Sequence, residues 1–175
     1  MQALTKPVDL NASISLIVGV PKDFKPAEIS ELEDLILKGG EVNSKTLTDL
    51  LLVAYALCFA RAGEKLVGVG GIKRPYDTHR NRVFRKAVSK QKPSDYRFEL
   101  GWIYVEEDAR GRRLSNRIVS ELMAKVPTEK IYSTSGTDNL KMHASLKRHG
   151  FNICGRPYTS DQGDHKILLF LRGAA

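Results

Sequence analysis

Hydrophobic positions along the chain alternate between short runs and helical repeats. Ser13 to Val20 (SISLIVGV) is an apolar run of strand length, closed by Pro21. From Pro26 to Lys38, Ile29, Leu32, Leu35 and Ile36 recur at helical spacing, with acids early, Lys38 late and Gly39-Gly40 as a stop. Ser44 to Leu51 predicts a shorter helix, capped by Asn43 or Ser44. Val53, Tyr55, Leu57 and Phe59 then alternate with small residues, Ala62-Gly63-Glu64 makes a turn, and Leu66 to Ile72 returns, which predicts a hairpin. The glycines of the returning strand are read as packing or bulge positions without a catalytic role.

The second half follows the same logic. Phe98 to Val105 is rich in aromatic and branched residues and predicts a strand. Leu114, Ile118, Leu122 and Val126 repeat every fourth position and share one helical face. Lys130 to Ser135 is a further strand, and Thr137-Asp138-Asn139 caps a helix over Leu140 to His149 that Gly150 stops. Asn152 to Arg156 is a short strand. Gly155 to Tyr158 and the polar turn Thr159 to Asp164 link it to an apolar closing strand, His165 to Arg172.

Composition narrows the class. The chain has 175 residues, 42% hydrophobic and 27% charged, which fits one globular domain over 1–175 with a substantial core. The N-terminal apolar run is too short for a signal peptide, and nothing is long enough to span a bilayer, so no membrane association is expected. Cys58 and Cys154 show no paired spacing, and with the four histidines they give no zinc pattern, so a reduced cytoplasmic setting without metal is the expectation. Charge changes the picture more. Of a net +8, a surplus of seven lies between Lys73 and Arg97, where nine basic residues meet only Asp77 and Asp95. Val83, Phe84, Ala87 and Val88 fit one helical face there, with Arg82, Arg85 and Lys86 on the other. This basic insertion at about 73–97 is either a solvated helix covering a sheet edge or an arm for an acidic partner or nucleic acid.

The stretch with the most chemical content is Arg97 to Val126. A strand runs through Glu106 to Asp108 into Arg110-Gly111-Arg112-Arg113 and a helix start, with Arg117 one turn on. Unpartnered amides and the positive end of a helix dipole favour an anion such as phosphate. Neither G-x-G-x-x-G nor G-x-x-x-x-G-K-[ST] is present, which argues against dinucleotide and nucleotide-triphosphate loops.

What this stretch resembles is the acyl-CoA-binding motif of the GNAT superfamily of acyltransferases, [QR]-x-x-G-x-[GA] after a strand ending in Val. Val105 and Arg110 to Ser115 occupy those places, with Arg113 and Ser115 where the family carries glycine. Asn139 and Gly150-Phe151 resemble the family's second motif, in which Gly follows Asn by eleven positions; the frequent Tyr between them is Leu146 here. The resemblance covers most of the chain, and the element order fits it. It implies an α+β fold, an α/β three-layer sandwich whose mixed, mostly antiparallel sheet is flanked by helices, with splayed central strands that bind acyl-CoA. It also implies transfer of an acetyl group from acetyl-CoA to a primary amine. Ile103, Tyr104, Val105, Arg110, Gly111, Arg112, Arg113, Leu114, Ser115, Asn139, Met142 and Leu146 are the implied cofactor-binding positions.

For the chemistry, the amine must lose a proton before attack. Glu99 matches the family's catalytic Glu on the fourth strand, and strand alternation puts Glu99, Gly101 and Ile103 on one face; a surface pair with the basic insertion is the competing reading. Tyr132, Ser133, His143 and Tyr158 are the available acids, of which Tyr132 and His143 are carried as catalytic candidates. Besides the transferase, two other readings stand: a catalytically degenerate acyl-CoA-binding or regulatory protein, and an RNA- or aminoacyl-tRNA-directed acetyltransferase using the basic insertion. Expected partners are acetyl-CoA, an unidentified amine acceptor, an acidic partner or nucleic acid at Lys73–Arg97, and a second copy in a homodimer.

Overall fold

The computed structural model describes residues 13–40 and 42–173. The expectation about a signal peptide rests in part on residues 1–12, which lie outside them. Seven strands are described: β1 (Ile14–Gly19), β2 (Ala56–Ala62), β3 (Lys65–Lys73), β4 (Phe98–Val105), β5 (Ile131–Gly136), β6 (Asn152–Thr159) and β7 (Lys166–Arg172). The helices are α1 (Pro26–Lys38), α2 (Ser44–Leu52), α3 (Asp77–Lys86), α4 (Leu114–Met123) and α5 (Leu140–Arg148). The strands form one sheet in the order β1-β2-β3-β4-β5-β7-β6. Neighbours are antiparallel except β4 and β5, which run parallel.

Helices cover both faces, as the three-layer expectation requires. On one face α4 buries Leu114, Ile118, Val119, Leu122 and Met123 against Cys58, Val67 and Phe98, and Leu146 of α5 joins the same core. Each fully buried aliphatic side chain stabilises such a layer by about 1.5–3 kcal/mol. On the other face α1 and α2 pack Leu32, Ile36, Leu47 and Leu51 on Leu57, Phe59, Val69 and Trp102. A third cluster sits beside it, where α3 sets Val83 and Phe84 on Tyr132, Leu169 and Leu171. The basic insertion is therefore a packed wall over the β5–β7 side of the sheet.

Local signals placed most elements. Pro26 starts α1 and Gly39 caps it, and the Asn43 side chain accepts the Lys45 amide at the start of α2. Three differences have physical causes. Val53 and Tyr55 precede β2, because α2 continues through Leu52. Gly155 to Tyr158 belongs to the longer strand β6, whose ladder with β7 is interrupted between Cys154 and Tyr158. Val88 lies beyond the end of α3 at φ 55° and is exposed, so it leaves the apolar face formed by Val83, Phe84 and Ala87.

Candidate active site

The site begins with a parting of strands. β4 and β5 pair only from Phe98 to Leu100 and Ile131 to Ser133, and the Ser133 hydroxyl donates to the Leu100 carbonyl at 2.9 Å. Past that point β4 stays with β3 as far as Val105, whereas β5 follows β7 to Gly136. The gap between them opens into a cleft of about 1460 Å³, reached by residues from α1, α2, α3, α4 and α5.

A bulge shapes the β4 side. Val69 pairs with Tyr104 and Gly71 with Gly101, so β4 carries one residue more than β3 there, and Trp102 takes φ 56°. The bulge breaks the strict alternation expected from the sequence. Glu99 and Gly101 lie against Lys73, but Ile103 turns to the opposite face, under α4. Gly70 leaves room for this: an added Cβ would stand 2.6 Å from Ile103 Cδ1 and 2.7 Å from Ile118 Cγ2.

Beyond Val105, a short 3-10 turn over Glu107–Ala109 leads to Arg110, whose Nε donates to the Val105 carbonyl at 3.0 Å. That bond fixes the turn to the strand end. Arg113 caps α4 in the left-handed conformation, φ 55°, where glycine is the usual occupant. The turn is thus kept without glycine. The first amides of α4 have no intrahelical acceptors and face an anion-favouring dipole end. Ile103, Val105, Arg110, Arg113 and Ser115 all line the cleft, as do Tyr104, Gly111 and Leu114. On the β5 side Asn139 caps α5 by accepting the Met142 amide at 3.2 Å, and both residues line the cleft. Leu146 is fully buried in the core and is not part of the lining. Arg112 is outside the lining as well.

At the inner end, Glu99 is 3% exposed and holds three neighbours. Lys73 Nζ donates to Oε1 at 3.0 Å, the Tyr132 hydroxyl donates to Oε2 at 3.1 Å, and His79 Nε2 stands 3.4 Å from Oε2. Burial alone would push the Glu99 carboxyl up, but the Lys73 ammonium and the His79 ring outweigh it and hold the group at about 2. Burial and the Glu99 charge push the Tyr132 hydroxyl well above its ordinary value. Tyr132 is fully buried and outside the cleft lining. His143, 8% exposed, places Nε2 2.8 Å from the Gly136 carbonyl and rests on Phe170; it too lies outside the lining. Burial likewise pushes the Tyr158 hydroxyl up.

Two contributors lacked a clear signal in the sequence. His79 arrives from α3, and the packing of Val83 and Phe84 on Tyr132, Leu169 and Leu171 brings that helix beside Glu99. Ser135 lines the cleft from β5 with its hydroxyl buried and without a hydrogen-bond partner among the described residues. The expected Lys73–Arg97 surplus is partly engaged: Lys73 meets Glu99, Arg80 meets Asp77, and Arg82 and Lys86 both meet Asp161. Among the described residues there is no group of three or more His, Cys, Asp or Glu that could hold a metal ion, and no helix long and apolar enough to cross a membrane.

Comparison with known proteins agrees with this architecture. An acyl-CoA N-acyltransferase from Pseudomonas aeruginosa superposes with a TM-score of 0.67 at 15% identity, over 92% of this chain and 100% of that one. FeeM, an N-acyl amino acid synthase from uncultured soil microbes, gives 0.70 at 9% identity, over 92% and 91%. A GNAT-family acetyltransferase from Streptococcus agalactiae gives 0.65 at 15% identity, over 94% and 99%. At these identities the likeness is one of fold. A search of curated proteins found no match. The acetyltransferase (GNAT) family model matches residues 29–151, which hold the parted strands, the Arg110–Ser115 turn and the Asn139–Phe151 segment, and the chain belongs to that family.

Proposed function

We propose that the protein transfers an acetyl group from acetyl-CoA to a primary amine. The observation that carries this reading is the gap between β4 and β5 beneath the N-terminus of α4. It offers strand amides on one side and helix amides at its mouth, the two needs of an extended thiol ester with a diphosphate tail. Membership of the acetyltransferase (GNAT) family supports the donor.

In the proposed reaction the diphosphate lies on the Arg110–Ser115 turn, and Arg113 adds positive charge. The thioester follows β4 towards Gly101. Nucleophilic attack by the deprotonated amine forms an N–C bond at the acyl carbon, the C–S bond breaks, the sulfur leaves with its electron pair, and the nitrogen's remaining surplus proton ends on the thiolate. Glu99 is ionised at neutral pH and almost enclosed. Its role is to keep negative charge at the inner end, so that an incoming ammonium is held there and its proton passes to His79 or to water. His79 is the more accessible of the two, its side chain 39% exposed. Ser135 supplies a hydroxyl donor to the sulfur as charge develops on it. Tyr132 and His143 are already bonded to Glu99 and to the Gly136 carbonyl, and act here as positioning groups.

The test is release of free thiol from acetyl-CoA, with and without an amine. Amine-dependent release supports the transferase. Binding of acetyl-CoA without release supports the catalytically degenerate acyl-CoA-binding reading. Direction to RNA or aminoacyl-tRNA rests on the charge of segment 73–97, four of whose nine basic residues are engaged with carboxylates.

A further inference from the structure

The acceptor end of the cleft carries its own pattern. His79, Arg82 and Lys86 succeed one another along α3 at intervals of three and four residues, so they share one side of the helix, and all three line the cleft. Opposite them, Asp161 from the β6–β7 connection is the shared partner of two cations. Lys86 Nζ donates to its Oδ1 at 2.6 Å, and Arg82 Nε stands 3.0 Å from Oδ2. Arg82 Nε is buried, and its contact lies off the line of a hydrogen bond, so that N–H lacks an aligned acceptor among the described residues. Two positive groups therefore share one carboxylate, and one donor is left poorly served. The Asp161 side chain is 46% exposed, so the pairing is open to competition from solvent or solute.

We infer that the acceptor is a primary amine bearing an acidic group, whose acid displaces Asp161 and binds between Arg82 and Lys86 while its ammonium is held at Glu99 and His79. The inference rests on the acetyltransferase reading and specifies its substrate. Helix geometry sets the spacing. Arg82 is one turn from His79 and Lys86 two turns, so amine and acid lie roughly 5–10 Å apart. That excludes a plain α-amino acid bound through its own α-carboxylate and favours an acid several bonds from the amine. In the transfer one ammonium proton goes to His79 or solvent, the acceptor nitrogen bonds to the acyl carbon as the C–S bond breaks, and the departing thiolate takes up the nitrogen's second proton to leave as the thiol. The acid group takes no part in the bond changes. The positive charge of Asp161's partners also explains why its carboxyl is held below the usual range, with the Lys86 hydrogen bond foremost.

The experiment compares 4-aminobutanoate and 6-aminohexanoate with their carboxamides in the thiol-release assay. The acids are expected to exceed the amides at least tenfold in kcat/KM, mainly through KM. Lys86→Gln and Arg82→Gln should each cut that ratio. Asp161→Asn removes the internal competitor and should lower KM for the acids, an effect that damage to the fold does not mimic. Equal use of acids and amides, with thiol released from both, overturns the inference and leaves the transferase standing. If no amine releases thiol, the transferase reading fails, and the acid site is read by melting of the acetyl-CoA complex. A rise in Tm with 6-aminohexanoate that Lys86→Gln abolishes supports the site, and no rise overturns it.

Discussion

Lys73 and Glu99 stand opposite one another on β3 and β4, and their side chains meet at 3.0 Å beside Gly101. Glu99 is held at about 2 in the folded chain, against an ordinary 4.5. A depressed carboxyl contributes stability that is present above its unfolded value and lost as pH falls through the folded one. Between pH 5 and pH 2 the pair should cost the wild type on the order of 3 kcal/mol. Glu99→Gln should be less stable at pH 7, because Lys73 keeps its charge without a carboxylate, and its stability should fall less steeply with acid. Urea unfolding at pH 7, 5, 4 and 3 reads both. Turnover of Glu99→Gln should also fall, with CoA affinity retained; unchanged activity would remove Glu99 from the chemistry.

Ser135 is a second point of chemistry. Its hydroxyl is buried, unpartnered among the described residues and on the β5 side of the gap. Ser135→Ala should lower kcat by about tenfold with little change in KM or stability, since no hydrogen bond within the described residues is lost. A stable variant with full kcat would assign the hydroxyl no part.

Gly155 ties the basic insertion to the sheet edge. It has φ 73°, and a Cβ there would lie only 1.9 Å from the Ala87 carbonyl oxygen, while the Arg156 amide donates to that same oxygen at 2.8 Å. Gly155→Ala should therefore destabilise the fold by about 2 kcal/mol or more and loosen α3 before the rest of the sheet. Hydrogen exchange that is faster across α3 than across β2 and β3 would show this order; uniform acceleration would not.

Val88 offers a change of opposite sign. It holds the left-handed position after α3, with the Val88 amide bonded to the Arg85 carbonyl and the Ser89 amide to the Phe84 carbonyl, the pattern that usually employs glycine. Its side chain is exposed, so little packing is at stake. Val88→Gly should raise stability by about 1 kcal/mol in thermal or urea unfolding. A loss of stability would mean that the backbone here is not left-handed.

Legibility in the sequence followed the range of the forces involved. Boundaries set by neighbours in the chain were readable: Pro26 and Gly39 bracket α1, and Asn43 and Asn139 cap α2 and α5 through their own side chains. The Arg110–Ser115 turn was readable too, because a strand end, a basic turn and a helix start are contiguous. Features made by distant segments were not. Gly155-Arg156-Pro157 has the composition of a turn, yet it lies within β6 as a strand irregularity, with the Arg156 amide bonded to the distant Ala87 carbonyl. The Trp102 bulge depends on the register with β3, so alternation alone put Ile103 on the wrong face. His79 reaches Glu99 through the docking of α3, which no spacing within 73–97 encodes.

The central claim is that the turn from Arg110 to Ser115 grips the diphosphate of coenzyme A above the parted strands. Arg110 bonds the end of β4 and lines the cleft from the start of that turn. Calorimetric titration with coenzyme A reads the claim directly, in the wild type and in Arg110→Glu. One site per chain is predicted, with saturable heat and affinity at least tenfold weaker in the variant. No heat with the wild type, or equal affinity in both proteins, would contradict it.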